Sequence, residues 1–162
     1  MQLDEFNAAP RPDAIATLLP CADIPRWAAQ VVDGRPYASL SDLVDRASAA
    51  AQDWTITDVD TALAAHPRIG ERPEASTPEA SMSRAEQPVA DPESALALAE
   101  GNAEYEAKFG RIFLIRARGR TAAEIVAQLR QRLTNSPADE EFVVTGELRQ
   151  IALHRLEGLF TP

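Results

Sequence analysis

The 162-residue sequence has a single cysteine, a single lysine, two histidines and nowhere eighteen apolar residues in succession. Cys21 alone closes no internal disulfide, and no Cys/His cluster has zinc-site spacing, so no metal site is expected and a reducing compartment fits. The missing apolar run excludes a membrane-spanning helix, and no membrane partner is expected. The first twenty residues lack a basic start followed by an apolar stretch, and the chain ends Phe160-Thr161-Pro162. Neither a secretory leader nor a peroxisomal address is therefore expected, and the cytoplasm is the expected location. Lys108 stands beside fifteen scattered arginines, and the acidic residues outnumber them to give a net charge of −9. A surface of that sign repels phosphate backbones, so nucleic acid is not an expected partner.

What is present is an ordinary globular composition, 45% hydrophobic and 25% charged, in a chain long enough for one domain with a real core, spanning 1–162. Strand signals are almost absent: Val31-Val32 and Val143-Val144 lie in segments of helical apolar spacing. The expectation is an all-α, single-domain compact helical bundle of about seven or eight helices. The predicted spans are 11–19, 24–32, 39–51, 57–65, 91–109, 121–134 and 137–160. Asp91-Pro92 and Ser136-Pro137 each put a capping side chain before a proline at the first helical position, and Thr121-Ala-Ala-Glu124 is a capping box. The stretch from Glu71 to Ser94 is polar and rich in Pro, Ser and Glu, which suggests local disorder or a binding loop.

Pro67 disfavours helical geometry at the residue before it, which puts His66 at a helix C-terminus facing a turn. A histidine there can cap the last carbonyls as a cation, or give and take a proton near neutrality. His154 falls mid-helix outside the apolar arc and reads as a surface residue. Ser83-Arg84-Ala85-Glu86 has capping-box spacing. It can simply close a helix start, or the same N–H groups can hold a substrate carboxylate beside Glu86. In the last helix Val144, Leu148, Ile151, Ala152, Leu156 and Leu159 form an apolar stripe into which Arg155 points. A buried guanidinium needs an anion, from the protein or from a substrate, unless it snorkels to water. Arg149 lies at the other edge of that arc. Phe109 and Phe113 read most simply as core, with Gly110 as the left-handed residue ending a helix.

Four segments together resemble the family of 2-oxo-4-hydroxy-4-carboxy-5-ureidoimidazoline (OHCU) decarboxylases of purine degradation. They are His66-Pro67-Arg68-Ile69-Gly70, Ser83-x-x-Glu86-Gln87, Asn102-x-x-Tyr105-x-x-Lys108-Phe109-Gly110-x-x-Phe113, and Glu147-Leu148-x-x-Ile151-x-x-x-Arg155-Leu156. Phe6-Asn7 also fits, so the resemblance covers nearly the whole chain. It departs at Arg111-Ile112, where the family commonly has an aromatic residue followed by proline.

The resemblance implies an all-helical enzyme without metal or cofactor, often a homodimer, that turns its small-molecule substrate OHCU into (S)-allantoin and carbon dioxide. It implies that His66 is the acid/base residue and Glu86 its acidic partner. Pro67, Ser83, Arg84, Ala85 and Gln87, the backbone of Phe113, Leu114, Ile115, Arg116 and Ala117, and the side chain of Arg155 resemble the substrate-binding set. From composition alone, the competing reading is a non-catalytic acidic helical interaction module with residues 71–94 as a linker or docking loop.

Overall fold

The computed structural model describes residues 1–64, 66–71 and 77–160. Every regular element among the described residues is an α-helix, as the sequence predicts. In chain order they are α1 (Leu3–Ala8), α2 (Arg11–Leu18), α3 (Pro25–Val32), α4 (Leu40–Ala51), α5 (Ile56–Leu63), α6 (Pro78–Glu86), α7 (Pro92–Phe109), α8 (Ala122–Arg132) and α9 (Pro137–Leu159). The chain divides into two compact units, one of residues 1–62 with 149–162 and one of residues 63–148.

The first unit is built on aromatic anchors. Phe6 of α1 meets Phe160 edge-on at 5.4 Å, and Trp27 of α3 meets Trp54 at 5.7 Å. Both geometries suit ring quadrupoles. The Trp27 indole N–H donates to the Ala47 carbonyl of α4 at 2.9 Å, so the buried ring leaves no polar atom unmatched. Arg149 donates to the Ala51 and Gln52 carbonyls at 2.8 and 3.1 Å. It supplies donors to α4's last carbonyls, which the helix itself cannot satisfy.

The second unit holds the segments that carry the resemblance. Ile69, Leu98, Tyr105, Phe109, Phe113, Ile115, Ile125 and Leu129 form one buried cluster. The capping signals behave as the sequence predicts. Asp91 accepts from the Ser94 N–H, Thr121 and Glu124 close a reciprocal box, and Ser136 accepts from the Asp139 N–H. Backbone donors from Ser94 and Thr121 hold the carboxyls of Asp91 and Glu124 below their ordinary values. A depressed carboxyl stabilises the fold above its unfolded pKa, and that contribution is lost as pH falls through the folded value. Gly110 ends α7 at φ 70°, the left-handed conformation that favours glycine.

Three expectations are corrected. The 71–94 stretch is not simply loop or disorder, because α6 lies inside it; residues 72–76 fall outside the described residues. Ser83 to Glu86 do not form a capping box at a helix start. They are the last turn of α6, whose cap is Thr77, accepting from the Ala80 N–H ahead of Pro78. The free N–H groups at that end of α6 are therefore a turn or more away from Glu86, and the helix-N-terminus reading of Ser83 and Glu86 falls. A six-residue helix, α1, also precedes the first predicted span.

Gly101 of α7 faces Leu129 of α8. A Cβ there would overlap Leu129 Cδ2 and lie 3.1 Å from its Cγ, and Leu129 is fully buried. Alanine is the better helix former by about 1 kcal/mol, yet Gly101→Ala is expected to lower stability by about 1–3 kcal/mol through overpacking. Urea denaturation checks this; a gain in stability would mean that Leu129 yields freely.

Candidate active site

After α5 the chain turns at His66-Pro67, and the His66 N–H still reaches the Leu63 carbonyl at 3.0 Å. His66 and Pro67 are half-buried. The three residues beyond are each held from outside the loop. The Arg68 guanidinium makes two bonds to the Glu106 carboxylate of α7. The Ile69 carbonyl accepts from Asn102 Nδ2 at 2.9 Å, and the Gly70 N–H donates to Gln87 Oε1 at 2.9 Å. Gly70 takes φ 90°, and a Cβ there would find only ordinary contact with Leu98. The backbone conformation, not space, is what calls for glycine.

Gln87 is the C-cap of α6, its N–H donating to the Ser83 carbonyl at 3.2 Å. One residue thus closes the helix that ends in Glu86 and grips the loop that begins with His66. This ties the two predicted catalytic segments together. Ser83 is buried, Glu86 and Gln87 are half-buried, and Arg84 and Ala85 are exposed. Arg84 and Gln87 share the wall of a cleft of about 300 Å³ with Gly70 and Glu71. The Gln87 amide nitrogen carries two donors.

Residues 111–117 run without regular structure. Phe113, Leu114, Ile115 and Ala117 turn their side chains into the core, while Arg116 is exposed. The backbone, rather than the apolar side chains, is what this segment can present to a ligand. Part of it is already engaged: the Leu114 carbonyl accepts from Arg132 Nη1 at 2.6 Å, and the Arg116 N–H donates to Glu147 Oε2 at 2.7 Å.

The arginine serving the Leu114 carbonyl belongs to a buried network. Arg132 is 5% exposed and Glu140 fully buried. Glu140 Oε1 accepts from Arg132 Nε at 2.8 Å and from the Tyr105 hydroxyl, and its Oε2 accepts from Asn135 at 2.8 Å. Burial, then the hydrogen bond to Glu140, pushes the Tyr105 hydroxyl well above the usual phenol range. The Arg132 guanidinium also sits 4.6 Å from the Phe113 ring centre, a cation over a π face.

Arg155 lies in the unit of residues 1–62 and 149–162, buried at 5% exposure, with Nη1 donating to the Pro20 carbonyl at 3.3 Å.

The family model for OHCU decarboxylase matches residues 7–157. The chain belongs to the OHCU decarboxylase family. Two curated proteins are similar to this family member. The uric acid degradation bifunctional protein TTL of Arabidopsis thaliana is 31% identical over 150 residues, covering 87% of this chain and 45% of its own length. The chain therefore spans less than half of that relative. The 2-oxo-4-hydroxy-4-carboxy-5-ureidoimidazoline decarboxylase of Amia calva is 30% identical over 140 residues, covering 83% of this chain and 80% of its own. A crystal structure of an OHCU decarboxylase in the presence of (S)-allantoin superposes with a TM-score of 0.72 at 30% identity, covering 88% and 95% of the two chains. An (S)-allantoin synthase structure, with a TM-score of 0.75 at 16% identity over 99% and 54% of the chains, shares the fold.

Among the described residues of this OHCU decarboxylase family member, no group of three or more His, Cys, Asp or Glu is placed to hold a metal ion. Sequence reasoning missed Asn102, Glu106, Arg132 and Glu140 as supports of the predicted segments. Asn102 was within reach, since it opens a motif already singled out; nothing in the sequence marks Glu140 as buried.

Proposed function

We propose that this protein decarboxylates OHCU to (S)-allantoin, with His66 as the acid/base residue, Glu86 as its acidic partner and no resident cofactor. The observation that carries the reading is the Gly70–Gln87 hydrogen bond, which ties the His66 loop to the turn bearing Glu86 inside a chain of this family. The family match also counts against a non-catalytic interaction module. A homodimer in the cytoplasm belongs to the same reading.

The substrate supplies its own electron sink. As the bond to carbon dioxide breaks, the electron pair forms a double bond to the ureido-bearing carbon and the adjoining ring imine nitrogen takes up a proton from solvent. His66 accepts the hydroxyl proton as that oxygen becomes a carbonyl, and returns a proton to one face of the ureido-bearing carbon. One proton is consumed net, matching conversion of a carboxylate to neutral carbon dioxide. The protein's share is orientation, exclusion of water and the choice of face. Gln87, Ser83 and the backbone of residues 113–117 bind the ring and ureido groups, and Pro67, Arg84 and Ala85 border the substrate.

Uncatalysed loss of carbon dioxide leaves a planar carbon protonated from both faces, so the background product is racemic. With OHCU generated in situ from urate by the preceding pathway enzymes, the protein is expected to give rapid growth of an (S)-allantoin circular dichroism signal. A trace identical to the protein-free control would sink the proposal. Glu86→Gln sharpens it. A Glu86 that takes no part in the chemistry is replaced by glutamine without loss of turnover. As the acidic partner, its replacement is expected to cut kcat by about 100-fold or more with the thermal midpoint retained.

A further inference from the structure

Asn102 is a buried amide doing half of what an amide can do. Asn102 is 6% exposed; Nδ2 donates to the Ile69 carbonyl at 2.9 Å, while Oδ1 is buried with no hydrogen-bond partner among the described residues. An unmatched buried acceptor is costly, and an apolar residue of similar shape would remove that cost only by leaving the Ile69 carbonyl without its donor. Stability alone therefore gives asparagine little advantage here, since either residue leaves one buried acceptor unmatched. What the residue does achieve is to clamp a carbonyl three residues from His66. Of the three side chains holding residues 68–70, it is the most deeply buried. The Arg68–Glu106 pair is substantially exposed, at 46% and 30%, and correspondingly screened, and Gln87 is half-buried. The Asn102 bond lies beside the Ile69 side chain, itself part of the core cluster with Leu98, where low dielectric strengthens it.

We infer that Asn102 is a positioning residue for His66: its amide N–H fixes the Ile69 carbonyl, and through it the backbone that aims the imidazole at the substrate. The inference rests on the proposed decarboxylation.

The test measures kcat, KM and thermal midpoint in the OHCU assay for wild type, His66→Ala, Asn102→Leu and Asn102→Asp. Asn102→Leu removes the clamp and trades the unmatched Oδ1 for an unmatched Ile69 carbonyl, so it is expected to melt close to wild type. Its kcat is expected to fall about 10- to 100-fold at unchanged KM, the scale set by small misplacement of a reacting group. Asn102→Asp keeps size and oxygen but loses the donor when ionised. Protonation of the introduced carboxyl restores an O–H, so this variant's kcat relative to wild type is expected to rise as pH falls. A framework role moves the melting temperature and leaves the kcat of the folded protein unchanged.

Wild-type kcat in both variants, or loss of the folded state in both, overturns the inference. A wild type no faster than the spontaneous reaction, or a fully active His66→Ala, overturns the proposed function instead and this inference with it. Active wild type, slow His66→Ala and unimpaired Asn102 variants sink the positioning role alone.

Discussion

Replacing His66 by alanine is expected to abolish the rapid growth of the (S)-allantoin signal, a loss of about 10²–10⁴-fold in kcat, the usual contribution of a positioned proton-transfer group. The imidazole is the side chain whose ordinary pKa lets it accept and return a proton near neutrality, and here it is half-buried at a proline-enforced chain reversal. The truncation should leave the loop standing. The bonds from Asn102 to the Ile69 carbonyl and from the Gly70 N–H to Gln87 engage backbone atoms that the substitution does not touch. Far-ultraviolet dichroism should therefore match wild type while the product drifts toward the racemate of the uncatalysed route. A folded His66→Ala protein that still makes (S)-allantoin at the wild-type rate would assign the proton to another group.

The largest effect on stability is expected at Glu140. Its carboxylate, fully buried, answers Arg132, Tyr105 and Asn135 together. Glu140→Leu leaves a 5%-exposed guanidinium without its counter-charge, a change expected to cost about 3–5 kcal/mol. The double variant Arg132→Met/Glu140→Leu removes both charges, and is expected to recover a large part of that loss because neither buried ion is left stranded. Urea titrations of the wild type, both single variants and the pair form the complete cycle. If Glu140→Leu alone unfolds at the wild-type midpoint, the network contributes no coupling. Because Arg132 Nη1 also holds the Leu114 carbonyl, the double variant should regain stability without regaining turnover.

The parts of this molecule that were legible in its sequence are those decided within a few residues. Proline after a capping residue fixed the starts of α7 and α9, the Thr121–Glu124 box fixed α8, and Pro67 placed His66 at a turn. Thr77-Pro78 carries the same signature as Asp91-Pro92 and went unread, because α6 is polar on nearly every face and sits in a stretch whose composition suggests disorder. Seen without Thr77 as its cap, Ser83-x-x-Glu86 mimics a helix start when it is a helix end. The supports of the candidate site were illegible for a different reason. Glu140 lies in the first turn of α9 and Arg132 in the last turn of α8, positions where surface charges are favoured by the helix dipole anyway. Asp139, one residue earlier, has the same signature and is exposed. Only the approach of Tyr105 and Asn135, distant or reversed in sequence, separates the buried acid from the solvated one.

The chain's two tryptophans, Trp27 and Trp54, fall in the same unit, whereas Tyr105 belongs to the other. Indole emission is therefore a natural gauge of residues 1–62 and 149–162, while helical ellipticity sums over both units. Recorded on one sample across a urea gradient, the two signals resolve separate melting of the halves without any label. Coincident curves would instead mark a single cooperative transition, and license the all-or-none treatment on which every free energy quoted for Gly101 or Glu140 variants depends.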